Sequence, residues 1–444
     1  METKEKKNFV MEKILPPMMK FLNTKPVVAI KNGMIYPIPF VIIGSIFLIL
    51  GQLPWQAGQD FMNQIKLGPL FLQINDASFG IMALLAAFGI AYSWVKEEGY
   101  EAAPAGLTAI IVHILLQPNS VSNIVNTKTS EAISDALASG VIDRQWLGGK
   151  GMILSILVGL FVGWLYTALL RRNFTIKMPE QVPTNVAASF TALVPAGLII
   201  TLAGALHGLF TIILTTTFIE WVYKFIQTPL QHVTDGPLGV FVIAFLPAFI
   251  WWFGVHGTTI VSGIMGPLLQ ANAADNASLN RAGTLDLEHG AHIVTQSFMD
   301  QYLTVTGTGL TLGFLIFMVY RAKSVQMKTI GRLEVAPAIF NINEPILFGM
   351  PIVLNPILAI PFMAAPMLSG ILTYLAIYLH IIPPFNGAVV PWTTPAILSG
   401  YLVGGFSGMI WQILMLALST LIWWPFAARY DKILLDQESE AIKK

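Results

Sequence analysis

The residues best suited to chemistry lie between Asn341 and Pro351, which read Asn-Ile-Asn-Glu-Pro-Ile-Leu-Phe-Gly-Met-Pro. Glu344 stands there among apolar residues, and the chain has no other acid between Glu334 and Asp431. An acid at membrane depth is costly, so it usually marks a substrate path, a proton relay or a paired buried site. The prolines and the glycine that follow favour a broken helix, whose freed backbone groups can bind a ligand.

Two roles are open to Glu344. It could hydrogen-bond a substrate hydroxyl and accept its proton, as a general base does. It could instead be a structural carboxylate that caps the end of a broken helix. The first role is favoured, because Asn or Ser would cap a helix at this depth at lower cost.

A histidine motif forms the second candidate. His256 follows Trp-Trp-Phe-Gly-Val and precedes Gly257. A lone histidine on an apolar face is more often a hydrogen-bonded core residue. The flanking glycines, which let a ligand approach the backbone, favour a binding role here.

Three asparagines could bind hydroxyl groups, because an amide is both donor and acceptor. Asn343 and Asn341 flank Glu344 on the same loop, although Asn341 could instead cap the hairpin. Asn386 lies in a Phe-Asn-Gly turn and is equally well explained as a turn residue.

Three ring-bearing residues complete the candidate set. Trp251 and Trp392 could stack on the apolar face of a substrate ring, or could anchor the protein at the membrane interface. His207 lies inside a predicted span and could line the site from that side, although a structural role is favoured.

Composition restricts the class of protein. Of 444 residues, 55% are hydrophobic and 11% are charged, which is typical of a polytopic membrane protein. The net charge of +1 gives no basic face for nucleic acid. The absence of cysteine excludes disulfides, a thiolate metal site and a cysteine nucleophile, and the absence of a G-x-x-x-x-G-K-[ST] loop disfavours an ATP-driven pump. We expect neither a metal nor a cofactor.

Membrane helices must position these residues. The lysine-rich start, Met1–Lys31, and the basic residues after the last span place both termini in the cytoplasm, so the number of crossings should be even. Nine spans are legible, and a tenth is required. We predict an all-α polytopic membrane protein of about ten transmembrane helices, two re-entrant hairpins and an interfacial amphipathic helix.

The spans are predicted to form two halves. Residues 1–217 hold five spans and residues 218–236 an amphipathic linker. Residues 237–444 hold both motifs, with hairpins near 256–272 and 335–355.

Two further predictions concern the chain between the hairpins. Ala271–Gly290 should be an exposed loop, and Tyr302–Tyr320 should cross the membrane.

The motif Asn343-Glu344-Pro345, together with Trp-Trp-Phe-Gly-Val-His-Gly at Trp251–Gly257, resembles the membrane component IIC of the sugar phosphotransferase system. The resemblance is to the lactose, cellobiose and diacetylchitobiose group. It extends from about Val27 to the last span, and it is specific because the two motifs occur together in this order.

The resemblance implies a permease of the bacterial cytoplasmic membrane that translocates a β-linked disaccharide, with cellobiose favoured over diacetylchitobiose and lactose. It implies that a separate IIB protein, supplied by IIA, phosphorylates the C6 hydroxyl from a phosphocysteine, since this chain has no cysteine. His256 would then orient that hydroxyl without carrying phosphate. The first half would form a homodimer, and the second would hold the sugar and move.

One alternative stays open from the residues themselves. Glu344 and His256 could form the relay of a proton-coupled secondary transporter that leaves its sugar unmodified. A structural scaffold is disfavoured, because it would not need a buried acid beside a broken helix.

Overall fold

The structure, a computed structural model, describes residues 15–53, 56–121, 137–176, 184–350 and 352–442. Residues 1–14 of the predicted cytoplasmic lead-in and Pro351 of the Glu344 motif lie outside the described residues. The described chain is predominantly helical, and its short antiparallel ribbon pairs Ser120–Val121 with Ala138–Ser139.

The chain forms two compact units. One contains residues 1–40 and 80–229, and the other contains residues 41–79 and 230–444. The predicted division at a single linker differs from this arrangement, because the segment 41–79 belongs with the second unit.

Hydrogen bonds within the second unit explain this grouping. The Ser45 hydroxyl accepts the backbone N–H of Val389 at 3.0 Å, and Arg281 pairs with Asp76. A pattern read along the sequence cannot reveal these distant partners. The roles assigned to the two predicted halves stay predictions.

The first unit is a set of helices, of which the last long one contains Pro195 without ending there. This helix lies where the fifth and last span of residues 1–217 is predicted. The helices are α1 (Leu15–Leu22), α2 (Lys25–Gly33), α6 (Met82–Glu97), α7 (Ala103–Leu115), α8 (Met152–Arg171), α9 (Thr184–Ile213) and α10 (Phe218–Val222).

The remaining helices lie wholly or mostly in the second unit, and the last of them is interrupted by non-helical backbone at Gly405. They are α3 (Ile38–Gly51), α4 (Gln56–Gln64), α5 (Leu67–Ser78), α11 (Thr228–Thr234), α12 (Pro237–Trp252), α13 (Gly257–Ala282), α14 (Gln296–Phe298), α15 (Leu312–Tyr320), α16 (Val325–Ile339), α17 (Glu344–Gly349), α18 (Pro356–Tyr378) and α19 (Leu398–Ile442).

The described helices include six that are long and apolar enough to cross a membrane. A seventh is obtained if the bent pair Phe218–Thr234 and Pro237–Trp252, which meet at 66°, counts as one span. The chain is therefore a helical protein with several candidate membrane spans, and the count of ten stays a prediction. The predicted amphipathic linker is helical through Thr234 and contains a π turn at Tyr223–Gln227.

The predicted interruption of the hairpin near 256–272 is wrong. α13 runs without a break through Pro267, and the loop predicted from Ala271 starts only after Ala282. Two buried asparagines hold the second part of this helix. Asn272 donates to the carbonyl of Val294 at 2.8 Å, and Asn276 donates to that of Phe385 at 3.0 Å. These tertiary hydrogen bonds favour helix where glycine and proline suggested a break.

The predicted span Tyr302–Tyr320 is also wrong as a continuous helix. Only α15, its last nine residues, is α-helical. Positive φ angles occur at Thr306, Gly307, Gly309 and Leu310, which interrupt the segment before α15 begins.

The Glu344 stretch is broken, as its prolines predict. α16 ends at Ile339, a turn follows, and α17 occupies only Glu344–Gly349. Whether this stretch and the His256 stretch are re-entrant in a membrane stays a prediction.

An apolar core holds the helices around both motifs. Phe314 of α15 stacks on Trp423 of α19 with ring centroids 4.9 Å apart. Trp251 of α12 and Ile346 and Leu347 of α17 belong to the same buried cluster. An aromatic pair of this kind stabilises the fold by about 1 kcal/mol beyond the effect of its buried area. Because Ile346 and Leu347 belong to the same cluster, this packing also holds α17 in place.

Candidate functional site

The histidine motif forms a tight turn between two helices. α12 ends at Trp252, and His256 caps the N-terminus of α13. The imidazole Nδ1 accepts hydrogen bonds from the backbone N–H of Thr259 at 3.3 Å and from its hydroxyl at 2.9 Å. In the neutral ring the proton therefore lies on Nε2. The exposed ring offers this N–H to a ligand.

The two glycines of the motif serve the turn itself. Gly254 has a φ of 81°, a left-handed conformation that favours glycine. A Cβ at Gly257 would lie 2.1 Å from the carbonyl oxygen of Pro247, so Gly257 allows α13 to approach α12. Its role is helix packing, which differs from the ligand access that the sequence suggested.

Trp251 joins the two motifs. Its ring centroid lies 4.7 Å from that of His256 and 5.8 Å from that of Phe348 on α17. The side chain is 5% exposed, and its Nε1 has no hydrogen-bond partner among the described residues. The turn that carries His256 and the helix that begins with Glu344 therefore pack against the same indole.

A chain of hydrogen bonds links the motifs a second time. Thr258, next to the histidine turn, shares a 2.6 Å hydrogen bond with the hydroxyl of Thr308. The carbonyl of Thr308 in turn accepts the Asn343 amide at 2.9 Å. The irregular segment before α15 thus lies between the His256 turn and the Glu344 turn.

Asn343 fits closely against this irregular segment. Its amide also donates to the Thr311 hydroxyl at 2.9 Å. A Cβ at Gly307 would lie 2.1 Å from its Cγ. Both amide protons of Asn343 are therefore used within the protein, and only its oxygen retains capacity for a ligand.

Asn341 ties a second broken stretch to the site. Its amide donates to the carbonyls of Trp392 at 2.6 Å and Thr394 at 2.7 Å, and its oxygen accepts the backbone N–H of Thr306 at 2.8 Å. Trp392 is 54% exposed, so its ring is free to contact a ligand. Asn341 positions the loop that carries this ring.

Glu344 is the first residue of α17 and is partly buried. Pro345, which favours the first turn of a helix, follows it. Among the described residues, no hydrogen bond or ion pair reaches its carboxylate, which therefore does not cap a helix end. Its acceptor capacity is left for a ligand.

The two remaining candidates lie elsewhere. Asn386 holds a turn, since its amide donates to the carbonyl of Leu402 at 2.8 Å and its oxygen accepts the N–H of Ala388 at 3.0 Å. His207 belongs to the first unit, on α9, where its buried Nδ1 has no hydrogen-bond partner among the described residues.

The sequence interpretation missed Thr258 and Thr308. For Thr308 the signal is the run Thr-Gly-Thr-Gly at residues 306–309, because two glycines in an apolar segment weaken a helix. The sequence nevertheless predicts a membrane span here, because the run and its apolar neighbours together are long enough to cross a membrane. No comparable signal marks Thr258.

Comparison with known proteins identifies the family. Residues 31–366 match the profile described as "Phosphotransferase system, EIIC".

Relatives and a solved structure agree with this match. The chain is 35% identical to the lichenan permease IIC component of Bacillus subtilis, over 97% of this chain and 94% of that protein. It is 33% identical to the cellobiose-specific EIIC component of the phosphotransferase system from Geobacillus stearothermophilus, over 95% and 93%. The crystal structure of ChbC, the IIC component from the N,N'-diacetylchitobiose-specific system, is similar with a TM-score of 0.90 and 34% identity, over 97% of this chain and 99% of that one. The chain is therefore a member of the EIIC family, the sugar permeases of the phosphotransferase system.

Proposed function

We propose that this protein translocates a β-linked disaccharide, cellobiose in preference to diacetylchitobiose or lactose, and presents its C6 hydroxyl to a phosphorylated IIB protein. The observation that carries the proposal is the position of Trp251, which contacts both His256 and Phe348. This position supports a site to which the free imidazole N–H of His256 and the carboxylate of Glu344, the first residue of the helix that carries Phe348, both contribute.

The composition of this cluster favours a neutral, hydroxyl-rich substrate. Its polar groups are hydroxyls, amides, one imidazole and one carboxylate, and no described ion pair supplies a fixed positive charge. A sugar hydroxyl can donate to the carboxylate of Glu344 and accept from Nε2 of His256 at the same time. A negatively charged substrate would require a countercharge.

The reaction then needs little covalent chemistry from this chain. The C6 oxygen attacks phosphorus, the bond between phosphorus and the IIB cysteine sulfur breaks, and the hydroxyl proton moves to Glu344. His256 orients the hydroxyl, Asn341 holds the loop that carries Trp392, and Asn343 contributes its acceptor oxygen. Catalysis is mainly positioning, with proton acceptance by one residue.

The names of the relatives support a β-glycoside substrate. Two of them are a lichenan permease component and a cellobiose-specific component, and the similar solved structure belongs to a diacetylchitobiose system. The exposed ring of Trp392 provides an apolar surface on which a second pyranose could stack.

Proteoliposomes test the proposal directly. Vesicles that contain the protein receive labelled cellobiose on one side and phosphorylated IIB on the other. We expect cellobiose 6-phosphate to form on the IIB side, with a protonophore having no effect. Accumulation of unmodified sugar that a protonophore abolishes would instead establish the proton-coupled transporter.

Glu344→Gln tests the proton acceptor. We expect cellobiose binding to fall only modestly and the rate of phosphorylation to fall about 100-fold or more, because general base catalysis supplies at least that factor. Glu288→Gln, which changes an exposed acid in the same unit, is the control. Undiminished product formation by Glu344→Gln would contradict the assigned role.

A further inference from the structure

A second acid lies beside Glu344. The side chains of Gln326, Ile330 and Glu334 are spaced by four residues and share one face of α16. Gln326 donates to the carbonyl of Gly349 at 3.0 Å, and a Cβ at Gly349 would lie 2.5 Å from Cδ1 of Ile330. α16 and α17 therefore run antiparallel along this face. Gln326 and Ile330 lie beside the end of α17, and Glu334 lies beside its start, where Glu344 is located.

Glu334 is completely buried, although α16 is not one of the candidate membrane spans. Neither of its carboxylate oxygens has a hydrogen-bond partner among the described residues, and no described ion pair includes it. The backbone N–H of Ile346 lowers the pKa of the Glu334 carboxyl, but it does not form a hydrogen bond of normal geometry with either oxygen. An ionised carboxylate in this position would lack compensation, and such a group takes up a proton instead.

The charges around α16 leave Glu344 as the ionisable neighbour of Glu334. Lys328 and Arg332 of the same helix are exposed. Glu438 accepts the N–H groups of residues 325 and 326, and Asp431 accepts those of residues 323 and 324, so both acids serve the opposite end of α16. Burial and the negative charge of Glu344 raise the pKa of the Glu334 carboxyl to about 8.

We propose that Glu334 and Glu344 form a carboxyl pair that holds one proton and one negative charge. The buried Glu334 carries the proton, and the partly exposed Glu344 carries the charge that meets the sugar hydroxyl. Two nearby carboxyls behave in this way because like charges resist simultaneous ionisation. Glu334 is a positioning residue: it fixes where the charge lies and does not touch the substrate.

This inference rests on the proposed function for its consequence in the reaction. While Glu334 holds its proton, the single negative charge of the pair lies on Glu344, where it can accept the C6 proton. At alkaline pH Glu334 loses its proton, and a second negative charge forms at the site that must receive the phosphorylated partner. The rate of phosphorylation should then fall because Glu334 is deprotonated, and not because IIB or the sugar changes.

Infrared spectroscopy of the purified protein tests the shared proton without any assay of function. We expect a carbonyl band of a buried, protonated carboxylic acid at pH 7 that disappears by pH 9. Burial raises the pKa of Asp300 to about 7, so this acid also contributes to the band. Glu334→Gln should lack the component that titrates near pH 8. Glu438→Gln, an acid-to-amide change at the other end of α16, should keep it. Absence of this component from the unchanged protein would overturn the pair.

The pH dependence of phosphorylation tests the positioning role. Between pH 7 and pH 9 the rate should fall about tenfold in the unchanged protein and in Glu438→Gln, as expected for one group that titrates near pH 8. Glu334→Gln, which mimics the protonated acid, should lose less than about twofold. Cellobiose binding at pH 7 confirms that this variant is folded.

The two measurements separate the possible failures. An infrared band with the same alkaline decline in Glu334→Gln as in the unchanged protein would overturn the positioning role and leave the proposed function intact. Failure of all proteins to phosphorylate cellobiose would overturn the proposed function, whatever the infrared result.

Discussion

Single side chains at the site have specific partners. Asn343 is held by Thr308 and Thr311 and presses against Gly307, where φ is 87°. In the part of the chain that the structure describes, the neighbouring Glu344 carboxylate has no such partner. Asn343 is therefore held in place directly before Glu344, the proposed proton acceptor.

Gly307→Ala tests this positioning. The added methyl group would meet the Asn343 side chain, which cannot move without breaking two hydrogen bonds. Overpacking costs about 1–3 kcal/mol beyond the left-handed backbone penalty. We expect a lower unfolding temperature and much weaker cellobiose binding, measured in detergent solution.

Gly283→Ala is the matched control. Gly283 also has a positive φ, 72°, but a Cβ there meets no atom within 4 Å. It should cost only about 1 kcal/mol for the backbone conformation. Equal losses of stability and binding in the two variants would contradict the fit between Gly307 and Asn343.

At the scale of elements, a charged cluster fastens the loop between α13 and α14. His292 lies between Asp235, 3.1 Å from Nδ1, and Asp275, 3.4 Å from Nε2. Asp235 also accepts the backbone N–H of Val294 at 2.6 Å. Burial opposes the charge of the imidazolium, but the two aspartates outweigh it and raise the pKa of His292 to about 9.

This cluster predicts a pH-dependent contribution to stability. A histidine whose pKa is higher in the folded protein than in the unfolded chain stabilises the folded state while it is protonated. This stabilisation is complete below the unfolded-state pKa of 6.5 and is lost as the pH rises towards 9. His292→Gln should cost about 2 kcal/mol at pH 6, since hydrogen bonds to charged groups are lost. The difference from the unchanged protein should narrow by pH 9.5.

Thermal unfolding across this pH range measures the effect. His289→Gln is the control, because His289 pairs with Asp286 on the same loop but is more than half exposed. A difference between His292→Gln and the unchanged protein that does not vary with pH would contradict the charged cluster.

The sequence predicted some elements better than others. The long α9 follows from apolar length, and the broken helix around α17 follows from the prolines and the glycine. The continuity of α13 and the break before α15 cannot be predicted from the sequence in this way. Both depend on tertiary hydrogen bonds, from Asn272 and Asn276 in the first case and between Thr308 and Asn343 in the second.

The same reasoning applies to the site. Residue chemistry predicts Glu344 and His256 as site residues, and this stays a prediction. The structure shows that Trp251 contacts His256 and Phe348, which lies on the helix that begins with Glu344. Sequence could not show that Glu334 lies beside Glu344, because that depends on the antiparallel packing of two short helices. Nor could it show that the amide protons of Asn343 are already used.

For the molecule as a whole, the predicted homodimer and its location in the first half stay predictions. α9 is the best candidate for the interface, because only 11% of its apolar window is buried within the chain. Leu198, Leu202 and Leu209 are exposed on one face of this helix. In a twofold dimer, residues near the axis approach their own copies.

Single cysteines test this interface, because the chain has none of its own. Leu198→Cys, Leu202→Cys and Leu209→Cys are oxidised in the membrane, with Leu421→Cys on the 73% exposed position of α19 as control. We expect disulfide-linked dimers from at least one α9 variant and none from the control. Cross-linking of the control alone, or of no variant, would contradict a dimer through α9.

The position of Trp251 has an optical consequence. An indole that contacts an imidazole from one motif and a phenyl ring from the other should change its emission when those motifs separate. The component of the tryptophan fluorescence that is lost in Trp251→Phe should therefore report substrate binding and release without an attached dye.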